Sequence, residues 1–154
     1  MKNEIYTAIQ LTWGLPQSLL GYVIYLINRE CKHFNYHGAY VTVWRRNSSM
    51  SLGKFVFLTD SPFVYHPNMR CQFTMDEMSE RILVHEYGHT IQSLLLGPLY
   101  LIIIGIPSLA WGSLPQLIKL RREKRLSYFD LYCEKNANTL GEKVTKRPSI
   151  GRVL

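Results

Sequence analysis

With 154 residues, 47% of them hydrophobic and 19% charged, the chain suffices for one domain with a buried core and leaves little room for a second. Its net charge of +7 comes without basic stretches interleaved with aromatic residues, so nucleic acid is not an expected partner. Three widely spaced cysteines, Cys31, Cys71 and Cys133, match neither a disulfide framework nor a CxxC zinc knuckle and read as reduced thiols.

From Ile5 through Asn28 no residue is charged. This first apolar segment, 5–28, reads as helical with a bend at Gly14-Leu15-Pro16, and is long enough to enter a bilayer, which needs roughly 20 apolar residues. Gln10, Thr12, Gln17 and Ser18 fleck it with polar groups, which weighs toward a buried soluble helix instead. No small-residue cleavage site follows it, so the segment reads as retained. Residues 36–60 change period: "AYVTVW" is β-branched and aromatic, "RRNSS" is turn-like and "MSLGKFVFL" is a second strand, predicting a β-hairpin. A Pro-bounded loop, 61–69, follows. Thr74 with Glu77 three residues on forms a capping box, opening a helix over 74–96 that Gly97-Pro98 stops. From Thr90 to Ile118 charge is again absent, and glycines and prolines punctuate 97–118 so heavily that an apolar helical hairpin is expected rather than one straight span.

Residues 119–154 carry ten Lys/Arg and four Asp/Glu, and "KLRREKR" directly follows the second apolar run, as at cytoplasmic membrane flanks and anionic lipid surfaces. Arg29, Lys32, Arg45 and Arg46 ask for the cytoplasmic side as well. A hairpin that enters and leaves by one face satisfies both groups, which predicts a protein integral to the cytoplasmic membrane with its site facing the cytoplasm. A last helix is expected over 127–141, closed by Gly141, and then a basic, mobile tail over 142–154.

Within the 74–96 helix lies His85-Glu86-Tyr87-Gly88-His89. Residues four apart share a helix face, so both imidazoles can meet one ion, with Glu86 beside them to act on a water as general base. Gly88 costs a helix roughly 1 kcal/mol relative to Ala, which suggests that something packs close there. A zinc ion needs a third protein ligand and keeps a fourth position open. Candidates are His33, His37, His66, Asp130, Cys133 and Glu134, the best lying in "YFDLYCEKNANTLG", where Asp130, Glu134 and Asn138 are four apart and Ala137 permits a close helix approach.

HEYGH followed by Glu134-Lys135-Asn136-Ala137-Asn138 resembles the gluzincin branch of zinc metallopeptidases, whose downstream motif has the form E-x-x-A-D. That resemblance implies a zincin-like α+β fold: mainly helical, with a small antiparallel β-hairpin or sheet, joined here by one or two membrane-inserted segments. It implies one zinc per chain held by His85, His89 and Glu134, and Asn138 hydrogen-bonded to a ligand histidine. Asn138 departs from the usual Asp and raises ligand basicity less. It further implies peptide or protein substrates, aligned by an edge strand for which 50–58 is the candidate; membrane lipid is a further expected partner on the strength of the two charge-free runs. Glu86 would shuttle the proton from water to the leaving amine. Tyr128, Tyr132 and His66 are candidates for the oxyanion donor. Intramembrane site-2 proteases form a rival resemblance, taking their third ligand from an L-D-G motif; Asp130 in "YFDLY" is the nearest match, without the Gly and without an apolar span. A non-catalytic zincin-like protein that binds a membrane partner is the third reading.

Overall fold

In the computed structural model, which describes residues 3–153, two short helices open the chain: α1 (Asn3–Thr12) and α2 (Leu15–Ile27). They break at Gly14, and Pro16 in the first turn of α2 lacks the N–H that a continuous helix would use. The expected bend is present. The polar residues of this stretch point inward: Gln10, Gln17 and Ser18 are buried while Leu19, Val23 and Ile27 are exposed.

Four strands follow, β1 (Lys32–Tyr36), β2 (Ala39–Trp44), β3 (Met50–Leu52) and β4 (Phe55–Thr59), in the spatial order β1-β2-β4-β3. This corrects the single hairpin expected over 36–60. "AYVTVW" does not pair antiparallel with "MSLGKFVFL"; it pairs parallel with its second half, Val41 opposite Val56. The second stretch is itself a hairpin, turned at Gly53, whose φ of 58° suits glycine. β4 explains the arrangement, because all five of its residues are buried. A strand apolar on both faces belongs mid-sheet, so residues 45–49 carry the chain past it to the far edge. Val41, Val56 and Leu58 face a core with Leu83, Tyr87 and Ile91, whereas Phe55 and Phe57 pack toward Ile24 and Tyr25 of α2.

α3 (Met75–Leu96) is the central helix, and the capping box at Thr74 forms in full, with Thr74 Oγ1 accepting from Glu77 N and Glu77 Oε2 from Thr74 N. Gly97, at φ 53°, ends it. Beyond come a 3₁₀ turn (Gly97–Leu99), a π-helical turn (Leu101–Gly105), α4 (Ile106–Ser113) and α5 (Pro115–Glu123). Among the described residues no single helix is long and apolar enough to cross a membrane; Met75–Leu99 together with Leu101–Ser113 has the length and composition, bent by 120°.

α6 (Tyr132–Thr145) lies closely against α3. A methyl group on Gly88 would stand 1.9 Å from the carbonyl oxygen of Ala137, and one on Gly141 2.1 Å from that of Val84. The predicted helix over 127–141 is thus shifted. Ser127 starts a capped 3₁₀ turn (Tyr128–Asp130), Leu131 is extended, and α6 then passes Gly141 to Thr145. The tail, expected to be mobile, is packed: Ser149 and Ile150 are buried, Ile150 against Phe63 and Met78, and Glu142 accepts from Ser149 N and Oγ. One apolar residue and one carboxylate anchor outweigh its basic composition.

Candidate metal centre

α3 and α6 cross so closely because Gly88 and Gly141 lack side chains, and that proximity brings His85 and His89 of α3 onto Glu134 of α6. His85 Nε2 lies 3.1 Å and His89 Nε2 3.3 Å from the same oxygen, Glu134 Oε2. All three side chains are buried, Glu134 completely at 0% exposure, and one ligand atom from each falls within 4.8 Å of the others. Charged imidazolium–carboxylate hydrogen bonds run shorter, about 2.7–2.9 Å. Neighbouring vertices of a tetrahedron with ligand distances of about 2.0–2.2 Å stand about 3.3–3.6 Å apart, closer to what is seen. The trio can hold a metal ion.

The other ring nitrogens fix the tautomers. His85 Nδ1 is 2.9 Å from Asn138 Oδ1, and the Gly151 N–H also points at that atom from 3.4 Å, as suits an oxygen. His89 Nδ1 is 2.8 Å from Gln92 Oε1, while Gln92 Nε2 donates to Cys133 O and Asn136 Oδ1. Amide oxygens only accept, so each Nδ1 carries a proton and donates it. In the neutral rings this leaves both Nε2 lone pairs converging on a carboxylate oxygen, a repulsive arrangement that only a proton or a cation relieves. Burial alone would raise the Glu134 pKa, but the hydrogen bonds with His85 and His89 override it and hold the carboxyl well below the usual range. Burial alone would likewise lower His89, yet Glu134, with a contribution from Glu86, pushes it up to about 9. Without a metal, His89 therefore holds the proton that a cation would displace.

Glu86 is buried next to this trio, and Ser51 Oγ, on the edge strand β3, lies 2.6 Å from Glu86 Oε2 and 2.8 Å from Glu86 O. Tyr100 donates to Ser51 O at 3.1 Å, tying the 97–113 segment to that strand. The Phe129 ring meets His85 edge-on at 5.1 Å.

The structure thus brings together His85, His89 and Glu134, with Asn138 as the expected orienting partner. Cys133 is adjacent, its sulfur 3.6 Å from Glu134 Oε1. Asp130 stays out, because Leu131 breaks the helical register; its carboxylate is exposed and accepts from Ser127 N at 2.7 Å to cap its own turn. His33 is bound to Thr42 and the Arg29 carbonyl, and His37 sits in the β1–β2 turn. Of the oxyanion candidates, Tyr128 is engaged with Ser108 at 3.2 Å, Tyr132 is largely exposed with its hydroxyl on Ile103 O, and His66 is exposed ahead of the 3₁₀ turn Pro67–Cys71. Sequence reasoning missed Gln92, Ser51 and Phe129. For Gln92 a signal existed, since it lies three residues after His89 on the same helix face; Ser51 and Phe129 reach the site only through tertiary packing.

Comparison of the chain with models of known protein families, with curated proteins and with solved structures finds no match.

Proposed function

We propose that the protein is a zinc-dependent metallopeptidase in which His85, His89 and Glu134 hold the ion and Glu86 is the general base. The observation that carries this reading is the convergence of two tautomer-locked Nε2 atoms and one buried carboxylate oxygen, with a further carboxylate next to them. Two imidazoles and a carboxylate suit zinc and leave a coordination position for water or substrate. A zinc ion there would supply Lewis acidity toward water and a peptide carbonyl. Glu86 takes a proton from water at its carboxylate and returns it to the leaving amine, while Ser51 Oγ holds that carboxylate in place. An extended peptide would lie along the outer edge of β3 and would have to displace Tyr100, which donates to the carbonyl of Ser51.

The test is cleavage of a quenched-fluorescent peptide library by the zinc-loaded chain and by Glu86→Gln. Cleavage by the former and its loss of about 10²–10⁴-fold in the latter, at unchanged zinc content, are expected. Equal cleavage by both would reject the assignment of Glu86. One observation favours a second reading, a metal held for structure alone: His85, Glu86 and His89 are each no more than 6% exposed. Under it, Glu86→Gln changes no activity, while removing the metal unfolds the chain.

A further inference from the structure

The polarity of α1 and α2 is inverted relative to a soluble protein. Their buried positions are Tyr6 and Gln10 in α1 and Gln17, Ser18 and Gly21 in α2. Gln10 Nε2 donates to Thr90 O at 2.9 Å, Gln17 Nε2 to Ser93 Oγ at 2.8 Å and Gly97 O at 3.0 Å, and Ser18 Oγ to Gln10 O at 2.7 Å. From Ile5 on, the outward positions are mostly apolar, among them Leu19 at 57% and Ile27 at 76% exposed, with Thr12 the polar exception and Asn3 and Glu4 exposed ahead of them. The segment after α3 repeats the pattern, with Tyr100 and Ile104 buried while Ile102, Ile106 and Leu109 are 62–69% exposed. The two stretches adjoin, since the Trp13 ring lies against Gly97 and Gln17 bonds its carbonyl. No charge falls between Ile5 and Asn28 or between Thr90 and Ile118.

We propose that this charge-free face docks on an anionic lipid bilayer and inserts to the depth of one leaflet, with α5 laying its basic residues on the headgroups. Soluble monomers rarely leave large contiguous apolar patches in water, and such patches mark protein or membrane contacts. A soluble partner leaves the inversion unexplained, whereas lipid explains why polar side chains turn in and why exposed hydroxyls bond their own helix, Thr12 Oγ1 to Ala8 O and Ser113 Oγ to Leu109 O. Length sets the depth. α2 has 13 residues, about 20 Å at 1.5 Å per residue, short of a hydrocarbon core of about 30 Å. Charge sets the lipid: Arg122 and Lys124, both exposed, follow closely on the exposed Leu114 that starts α5. The proposal stands whether or not the metal centre hydrolyses peptides.

The test uses the full chain, purified in detergent and diluted into vesicles of phosphatidylcholine alone or mixed with phosphatidylserine, in a Trp44→Phe/Trp111→Phe background so that Trp13 reports. Flotation with the phosphatidylserine vesicles is expected, with Trp13 fluorescence quenched by lipids brominated partway along the acyl chain more than by lipids brominated at the chain end. Arg122→Glu/Lys124→Glu, on exposed positions, should weaken binding to the anionic vesicles at least about tenfold and leave phosphatidylcholine binding unchanged, given about 1 kcal/mol per basic residue near such a surface. A folded chain that floats with neither vesicle overturns the proposal. So does a dimer whose Trp13 no brominated lipid quenches, which would mean that a second copy covers the face. Stronger quenching from the chain end would overturn the one-leaflet depth.

Discussion

At the scale of residues, the site is two imidazoles and one buried carboxylate, close enough to hold a metal ion. His89, raised to about 9 by Glu134 and Glu86 against the effect of burial, is protonated at neutral pH in the metal-free chain. The sign follows: metal must displace that proton, so affinity should rise about tenfold per pH unit up to about pH 9 and level off above it. Titration calorimetry at pH 7 in two buffers of different ionisation enthalpy should report release of one proton per metal bound; identical heats in both would contradict this. Ser51 belongs to the same scale. Ser51→Ala leaves the metal ligands untouched but frees the Glu86 carboxylate, so kcat should fall by about tenfold with zinc content unchanged. The histidine spacing was legible because helical periodicity is local, whereas Glu134 was picked out from six candidates only by the resemblance of its motif to the gluzincin pattern. The Ser51 contact was not legible, because it joins residues 35 apart through tertiary packing.

At the scale of elements, the α3–α6 crossing decides whether the site exists. Gly88→Ala gains about 1 kcal/mol of helix propensity but drives a methyl into the Ala137 carbonyl, so a net loss of about 1–3 kcal/mol is expected, with weakened metal binding. Gly105→Ala is the control: its nearest neighbour would be 3.7 Å away, so stability should hold or rise, both read by urea unfolding in detergent. Equal stability of the two variants would mean that the crossing is not as tight as described. Gly88 in mid-helix already hinted at a close neighbour, and Ala137 at where it lies. The sheet was less legible. Local alternation found the residues of β2, β3 and β4 but missed β1; pairing depends on which strand is buried on both faces, and "MSLGKFVFL" hides a Gly53 turn inside an apolar run. The tail misled because composition was read without Ile150, whose burial against Phe63 and Met78 orders it. Ile150→Ala should cost about 2–4 kcal/mol; a loss below about 0.5 kcal/mol would show the tail to be free.

At the scale of the molecule, one helix organises everything. α3 backs the sheet, carries both histidines, receives α6 and accepts the inward glutamines of α1 and α2. Gln10 and Gln17 weighed toward a buried soluble helix in the sequence; in the structure they are indeed buried, facing α3, and aliphatic side chains such as Leu19 and Ile27 stay outside. The central claim, that this arrangement is a three-ligand metal centre, is tested most directly by metal content. Plasma mass spectrometry on detergent-purified protein, grown with zinc, should find about one zinc per chain in the unmodified protein and in Asp130→Ala. In Glu134→Ala, folded by circular dichroism, it should find far less. Absence of metal from the unmodified chain, or full retention in Glu134→Ala, would contradict the account.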